Sequence, residues 1–148
     1  MTSDLFQLSQ QEGIIIEWFK FSSTLEGLYW FTKNKRPVIG LSDSLQNNQP
    51  RLRSVLGEEL GHHFTSMGEG ITQSHYRYSD RLNVNRIEHR ALCWAASYLI
   101  PLDNLSDAIH SGLTEYWQLA EHFVVTEDMI DFRVRMMDVR RLFISGGF

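Results

Sequence analysis

The chain has 148 residues and a formal net charge of −4. This length suits one domain with a single hydrophobic core, and 43% hydrophobic against 22% charged residues exclude a disordered chain. The mildly acidic balance excludes a general attraction of the whole protein to nucleic acid or to anionic membranes. The single cysteine, Cys93, excludes a disulfide within the chain and indicates a reducing compartment.

No segment predicts targeting or membrane insertion. The first residues lack the basic start and the apolar run of a signal peptide. The longest apolar stretch, residues 91–100, is far shorter than the roughly 20 residues that a membrane-spanning helix needs. We therefore expect a cytoplasmic protein that does not contact a membrane.

The first third of the chain predicts a short helix followed by a small sheet. Residues 3–12 are polar with scattered apolar positions, which is typical of a surface helix. Three β-branched and aromatic runs follow at residues 14–21, 27–32 and 37–41, and a tight turn at residues 33–36 joins the last two. We expect these runs to form an antiparallel three-stranded sheet.

The rest of the chain predicts helices. Apolar residues recur at three- and four-residue steps from Pro50 onwards, a polar loop covers residues 66–80, and a second long helix runs over residues 82–100 to Pro101. Shorter helices are predicted at residues 103–111, 114–123 and 127–141. This order predicts an α+β fold, in which the small antiparallel sheet packs against the first long helix and the C-terminal half is mostly helical.

We expect one domain over residues 1–148, because the chain shows no repeat and no linker-like run. Within it, residues 1–48 form the first helix and the sheet. Residues 50–101 form the two long helices, and residues 102–148 form a helical tail.

The first long helix carries titratable residues at the spacing of a metal site. Residues 58–63 read E-E-L-G-H-H. In the H-E-x-x-H signature of zinc peptidases, two histidines one helical turn apart bind one ion, and the glutamate after the first histidine acts as base. Here Glu58 stands in the place of the first histidine and His62 in that of the second. A carboxylate oxygen is also a zinc ligand.

Two other interpretations of this helix stay open. A register shifted by one residue makes Glu59 and His63 the facing pair. Alternatively, these side chains form a solvated helix rim beside a hydrogen-bonded core histidine, which is the common state of such residues.

The second long helix carries a glutamate on its apolar stripe. The apolar members of this stripe are Val84, Ala91, Leu92, Ala95 and Leu99. A buried carboxylate such as Glu88 is costly unless a cation or a metal ion pairs with it. A metal held by Glu58 and His62 would supply this charge and would then have three protein ligands, as in catalytic zinc sites. An ion pair of Glu88 with Arg86 or Arg90 is the alternative.

Together these motifs resemble the ImmA/IrrE family of metallopeptidases. That family typically shows HELGH and, farther along the chain, a glutamate that opens an E-x-x-A-x-x-x-A helix ending in L-[LIM]-P. Residues 58–62 match the first motif with one letter changed, and residues 88–101 match the second. The resemblance extends over residues 10–140, including the tail from Leu119 to Arg133.

The resemblance implies a zincin-like peptidase that cleaves a helix-turn-helix repressor and thereby derepresses a prophage, a mobile element or a stress regulon. By position, Glu58, His62 and Glu88 would be the metal ligands. Glu59 would be the general base that takes a proton from the attacking water. Zn²⁺ is the implied cofactor, and the oxygen-rich ligand set also suits Mn²⁺.

The changed first ligand supports a second hypothesis. The chain would then be a catalytically degenerate family member that regulates by binding a repressor or another regulator without cleaving it. Direct contact with nucleic acid is not expected under either hypothesis. The tail has the spacing of a helix-turn-helix and carries several arginines, but its second helix opens at residues 126–128 with acidic side chains, where phosphates would lie.

Other reactive side chains are secondary candidates. His75, Tyr76 and Tyr78 lie in the loop between the two long helices and would be placed to complete the metal site or to donate to an oxyanion. A polar surface loop is the simpler interpretation of all three. His89 is turned about 100° away from its neighbour around the helix, and Cys93 is expected to be a small core residue.

Overall fold

The computed structural model describes residues 2–22, 24–66 and 78–144, without the side chains of residues 78–85, 143 and 144. The helices in these ranges are α1 (Ser3–Gln11), α2 (Gln49–Thr65), α3 (Tyr78–Leu99), α4 (Leu102–His110), α5 (Tyr116–Phe123), α6 (Glu127–Val134) and α7 (Met137–Ile144). The strands are β1 (Ile15–Phe19), β2 (Gly27–Trp30) and β3 (Val38–Ser42), and Asp43–Asn47 forms a turn of 3-10 helix. The predicted α+β class is confirmed.

The sheet is mixed, with the strand order β1-β3-β2. Strands β2 and β3 pair antiparallel, whereas β1 pairs parallel with β3, so that Ile39 lies opposite Tyr29 on one side and Ile16 on the other. The prediction of a wholly antiparallel sheet is therefore wrong. Strands β1 and β2 are two strand spacings apart, about 10 Å, and β3 lies between them.

Helix α2 packs between the sheet and α3, and it supplies much of the core. Its residues Leu52, Leu56 and Leu60 are 3%, 0% and 0% exposed. The side chain of Asn48 caps the helix by accepting a hydrogen bond from the backbone N–H of Arg51 at 3.2 Å. This packing fixes which face of α2 meets its neighbours.

The start of α3 differs from the prediction. The helix begins at Tyr78 rather than at Leu82. Most of the loop predicted at residues 66–80 lies outside the described residues. None of the described helices combines the length and the apolar composition that a bilayer crossing requires.

The single helix predicted over residues 127–141 is two helices, α6 and α7. The buried side chain of Arg133 donates hydrogen bonds to the carbonyl of Ile100 at 2.7 Å and to both carboxylate oxygens of Asp138 at 2.8 and 2.9 Å. In a continuous helix, residues five apart lie on different faces. The break between the helices therefore allows Arg133 to pair with Asp138.

Replacing Asp138 with alanine should lower the free energy of unfolding by about 1–3 kcal/mol, because the buried guanidinium of Arg133 would lose its carboxylate partner. The hydrogen bonds from Arg133 lower the pKa of Asp138. The carboxylate therefore stabilises the fold above its pKa in the unfolded chain, and this stabilisation is lost as the pH falls through the lowered folded value.

Urea unfolding of wild type and Asp138→Ala between neutral and strongly acidic pH measures both effects. The difference in stability should shrink towards low pH. Asp131→Ala is the matched control, since Asp131 pairs with the exposed Arg135, and it should cost less than about 0.5 kcal/mol. Equal losses in the two variants would contradict the role of the buried pair.

Candidate metal centre

Helices α2 and α3 bring three predicted ligands together. One ligand atom from each of Glu58, His62 and Glu88 lies within 4.8 Å of the other two. Nε2 of His62 lies 3.3 Å from Oε2 of Glu88, and Glu88 also shares a hydrogen bond with Glu58. Glu58 and His62 face the same way because they are one helical turn apart. The role of the three side chains as metal ligands stays a prediction.

A close approach between the two helices makes this convergence possible. A Cβ atom on Gly61 would lie 2.2 Å from the carbonyl oxygen of Ala91, so any side chain at Gly61 would push α3 away from α2. Ala91 lies three residues after Glu88 on α3. Because Gly61 has no side chain, α3 can lie close enough to α2 for Glu88 to reach Glu58 and His62.

The cluster crowds three carboxylates around one imidazole. Burial, together with the hydrogen bond and the charge of Glu88, raises the pKa of Glu58 to about 7. The hydrogen bond with His62 lowers the pKa of Glu88. Burial lowers the pKa of His62, but its hydrogen bond with Glu88 and the nearby carboxylates outweigh burial, so this pKa is raised. Such a concentration of negative charge favours a cation.

The third carboxylate belongs to Glu59, which is only 7% exposed. Burial raises the pKa of Glu59 to about 8. Among the described residues, neither Oε2 of Glu59 nor the buried Nδ1 of His62 has a hydrogen-bond partner. Buried polar atoms without partners are rare and are typical of places that a ligand, an ion or a water molecule completes.

A cavity of about 480 Å³, here called the site cavity, opens onto these residues. Its other walls come from α2 and from the segment that leads into β2, including Arg51, Glu26 and Gly27. The guanidinium of Arg51 is fixed by Glu26: its Nε donates to Oε2 at 2.8 Å and its Nη2 donates to Oε1. Sequence reasoning missed this pair, because the residues are 25 positions apart and belong to no motif.

The shifted register around His63 does not form a metal site in the described structure. Nδ1 of His63 lies 3.0 Å from the hydroxyl of Tyr29, and Nε2 lies 3.1 Å from a carboxylate oxygen of Glu12. Both ring nitrogens are thus engaged, and His63 joins α2 to β2 and to the end of α1. The alternative partners of Glu88 are exposed, and its ion pair in the described part of the chain is with His62.

The secondary candidates lie elsewhere. His89 is exposed, and its Nε2 lies 3.4 Å from Sγ of Cys93 at a separate cavity. Cys93, expected in the core, is half-buried at the wall of that cavity. His75 and Tyr76 lie outside the described residues, as does the side chain of Tyr78.

Gly61→Ala should lower the free energy of unfolding by about 1–3 kcal/mol, because the new methyl group would collide with the backbone of α3. Gly57→Ala is the matched control on the same helix. Its Cβ would meet Cδ1 of Leu99 at 2.9 Å, the end of a flexible side chain, and alanine also favours the helix by about 1 kcal/mol. Thermal unfolding should therefore show a clear loss for Gly61→Ala and little change for Gly57→Ala. The reverse order would contradict the proposed close approach.

Comparison with known proteins agrees with this geometry. The family model of the IrrE N-terminal-like domain, peptidase family M78, matches residues 10–135. No curated protein matches the chain. The match covers most of the chain, including α2, α3 and the sheet. The chain therefore belongs to the IrrE N-terminal-like peptidase family M78, a family of metallopeptidases, and the resemblance to the ImmA/IrrE family is confirmed.

Proposed function

We propose that this chain is a cytoplasmic metal-dependent endopeptidase that cleaves a helix-turn-helix repressor and so derepresses a prophage, a mobile element or a stress regulon. The observation that carries the proposal is the convergence of Glu58, His62 and Glu88 within 4.8 Å, beside the buried Glu59. Membership of a metallopeptidase family supports hydrolysis of a peptide bond. The repressor as substrate rests on the resemblance to the ImmA/IrrE family.

The three side chains fit a divalent metal ion. One imidazole nitrogen and two carboxylate oxygens are donors that Zn²⁺ accepts, and catalytic zinc sites keep three protein ligands. Nδ1 of His62 and Oε2 of Glu59, which lack a hydrogen-bond partner in the described part of the chain, also fit a site that an ion and a substrate complete. We propose Zn²⁺ as the cofactor, with Mn²⁺ as the alternative for so oxygen-rich a set. When bound, the ion supplies a Lewis acid that polarises the substrate carbonyl.

Glu59 is the residue that moves the proton. Burial raises the pKa of Glu59 to about 8, and a cation held by the neighbouring ligands would favour the ionised carboxylate that a general base needs. Glu59 accepts the proton of the attacking water and returns it to the leaving amine. Gly27 leaves room for this carboxylate, since a Cβ at Gly27 would lie 2.8 Å from Oε1 of Glu59.

The edge of the sheet offers a place for an extended peptide. Among the described strands, β2 pairs with β3 alone, so its other edge makes no strand pairing within the described residues. Gly27 at the start of β2 lines the site cavity together with Glu59. A substrate segment paired with β2 would therefore cross the cavity in an extended form, as in β-strand addition.

A binding role without catalysis is the second candidate. Glu88 shares hydrogen bonds with Glu58 and His62, so the three side chains also hold one another in place without an ion. A protein with such a metal-free network would regulate by holding a repressor or another regulator. Glu58 distinguishes the two functions, because it matters for metal affinity only in the first.

Glu59→Gln should keep the fold and the bound metal but lower cleavage by about 100-fold or more, because an amide cannot accept the proton. The assay incubates metal-loaded protein with helix-turn-helix repressors from the same genome and follows cleavage by mass spectrometry. Glu121→Gln, at an exposed position of α5, is the control and should cleave as the wild type does. Undiminished cleavage by Glu59→Gln would place the base elsewhere.

Glu58→Ala should lower metal affinity and cleavage together, whereas Glu58→His should keep or raise both, because imidazole suits zinc well. Metal content after purification without chelator and cleavage of the same repressors measure the two effects. In the binding-only alternative, Glu58→Ala leaves the regulatory effect intact and the wild type carries little metal. Induction of the regulon by metal-free wild-type protein would contradict the proposed peptidase function.

A further inference from the structure

A second cavity, of about 340 Å³, lies beside the site cavity. The two cavities share Arg51, Val55 and Glu58 in their linings. The remaining walls of the second cavity come from α2, α3 and the start of α6, namely Ser54, Leu92, Thr126, Asp128, Met129 and Phe132. Leu92 lies one helical turn after Glu88, so the second cavity begins where the candidate metal centre ends.

The two cavities differ in chemistry. Acidic side chains and His62 dominate the site cavity, whereas Val55, Leu92, Met129 and Phe132 make the second cavity mainly apolar. The charges at its border are of both signs, and Arg51, which is paired with Glu26, also lies in the electrostatic field of Asp128 and Glu58. The cavity therefore does not call for a charged occupant, and an apolar side chain matches its walls.

The α6 wall of the second cavity is held in place by hydrogen bonds. The backbone N–H of Thr126 donates to Oγ of Ser54 on α2 at 3.1 Å. The hydroxyl of Thr126 accepts from the backbone N–H of Met129 at 3.2 Å and so caps α6. At the other end of α6, Arg133 is bonded to Ile100. Because these hydrogen bonds already hold the wall in place, less conformational entropy is lost when a ligand binds.

We propose that the second cavity is the specificity pocket of the peptidase and takes a large apolar side chain, of the size of leucine, methionine or phenylalanine, next to the scissile bond. The inference rests on the proposed function. The geometric support for this inference is Glu58, because this residue lines both cavities. A peptide whose reacting carbonyl lies at Glu58, His62 and Glu88 brings a neighbouring side chain within reach of Leu92 and Met129.

The test uses metal-loaded protein and a library of peptides made from a digested proteome. Mass spectrometry identifies the residues on both sides of each cut. Leucine, methionine and phenylalanine should be enriched about tenfold or more over alanine and glycine on one side of the cut, since a hydrophobic pocket discriminates by at least that factor. If apolar residues are enriched on neither side of the cut, the second cavity is not the specificity pocket, although the proposed peptidase activity still holds.

Variants of Leu92 test whether the second cavity causes the preference for apolar residues next to the cut. Leu92→Phe narrows the pocket and should shift the preference towards alanine and glycine, whereas Leu92→Ala should admit tryptophan. Leu102→Phe is the matched control, because Leu102 is also half-buried against the core but lines neither cavity. If Leu92→Phe and Leu102→Phe shift this residue preference equally, the second cavity is not the specificity pocket. If Leu92→Phe does not fold, as judged by thermal unfolding, Leu92→Ala decides.

A binding measurement separates failure of the pocket from failure of the proposed function. The probes are N-acetylleucine hydroxamate and N-acetylglycine hydroxamate, which share a metal-binding group and differ in one isobutyl side chain. Calorimetry should show about tenfold tighter binding of the leucine probe to the wild type, and Leu92→Phe should remove the difference. If no library peptide is cleaved, the proposed function fails, and the two probes alone test the specificity pocket. Equal binding of the two probes, or no binding of either, would then contradict the proposed pocket.

Discussion

The close contact between α2 and α3 at Gly61 is the constraint on which the rest of the structure depends. The backbone carbonyl of Ala91 occupies the space that a side chain at Gly61 would need. This contact brings the acid on α3 to the acid and the histidine on α2, and it places Leu92 beside them. Small residues at a helix crossing thus do more than improve packing, because they set the width of the site.

The site stores electrostatic cost that the surrounding core has to balance. Three carboxylates and a histidine lie where apolar packing would be more stable, and two of their polar atoms have no partner among the described residues. Leu52, Leu56 and Leu60 of the same helix are almost fully buried. One helix therefore carries both the strongest hydrophobic anchoring and the least favourable polar burial, a combination typical of functional sites.

Local patterns were sufficient to predict the α+β class, the order of a helix, three strands and several helices, and the proximity of Glu58 to His62. Helical periodicity and i, i+4 spacing depend only on residues close together in the sequence. Features that depend on distant residues were predicted wrongly or missed. The parallel pairing of β1 needs β3 to enter between two earlier strands. The break between α6 and α7 accompanies the pair of Arg133 with Asp138, and the pair of Arg51 with Glu26 forms only in the folded chain.

The hydrogen bond between Thr126 and Ser54 has a consequence for how such a protein diverges. It attaches α6 to α2 without involving Glu58, His62 or Glu88. If the chemistry resides on α2 and α3 while side-chain recognition resides partly on α6, substitutions at Met129 or Phe132 alter which targets are chosen without touching the reacting groups. A lineage with this arrangement can acquire new targets through a few changes in its tail and inherit its chemistry intact.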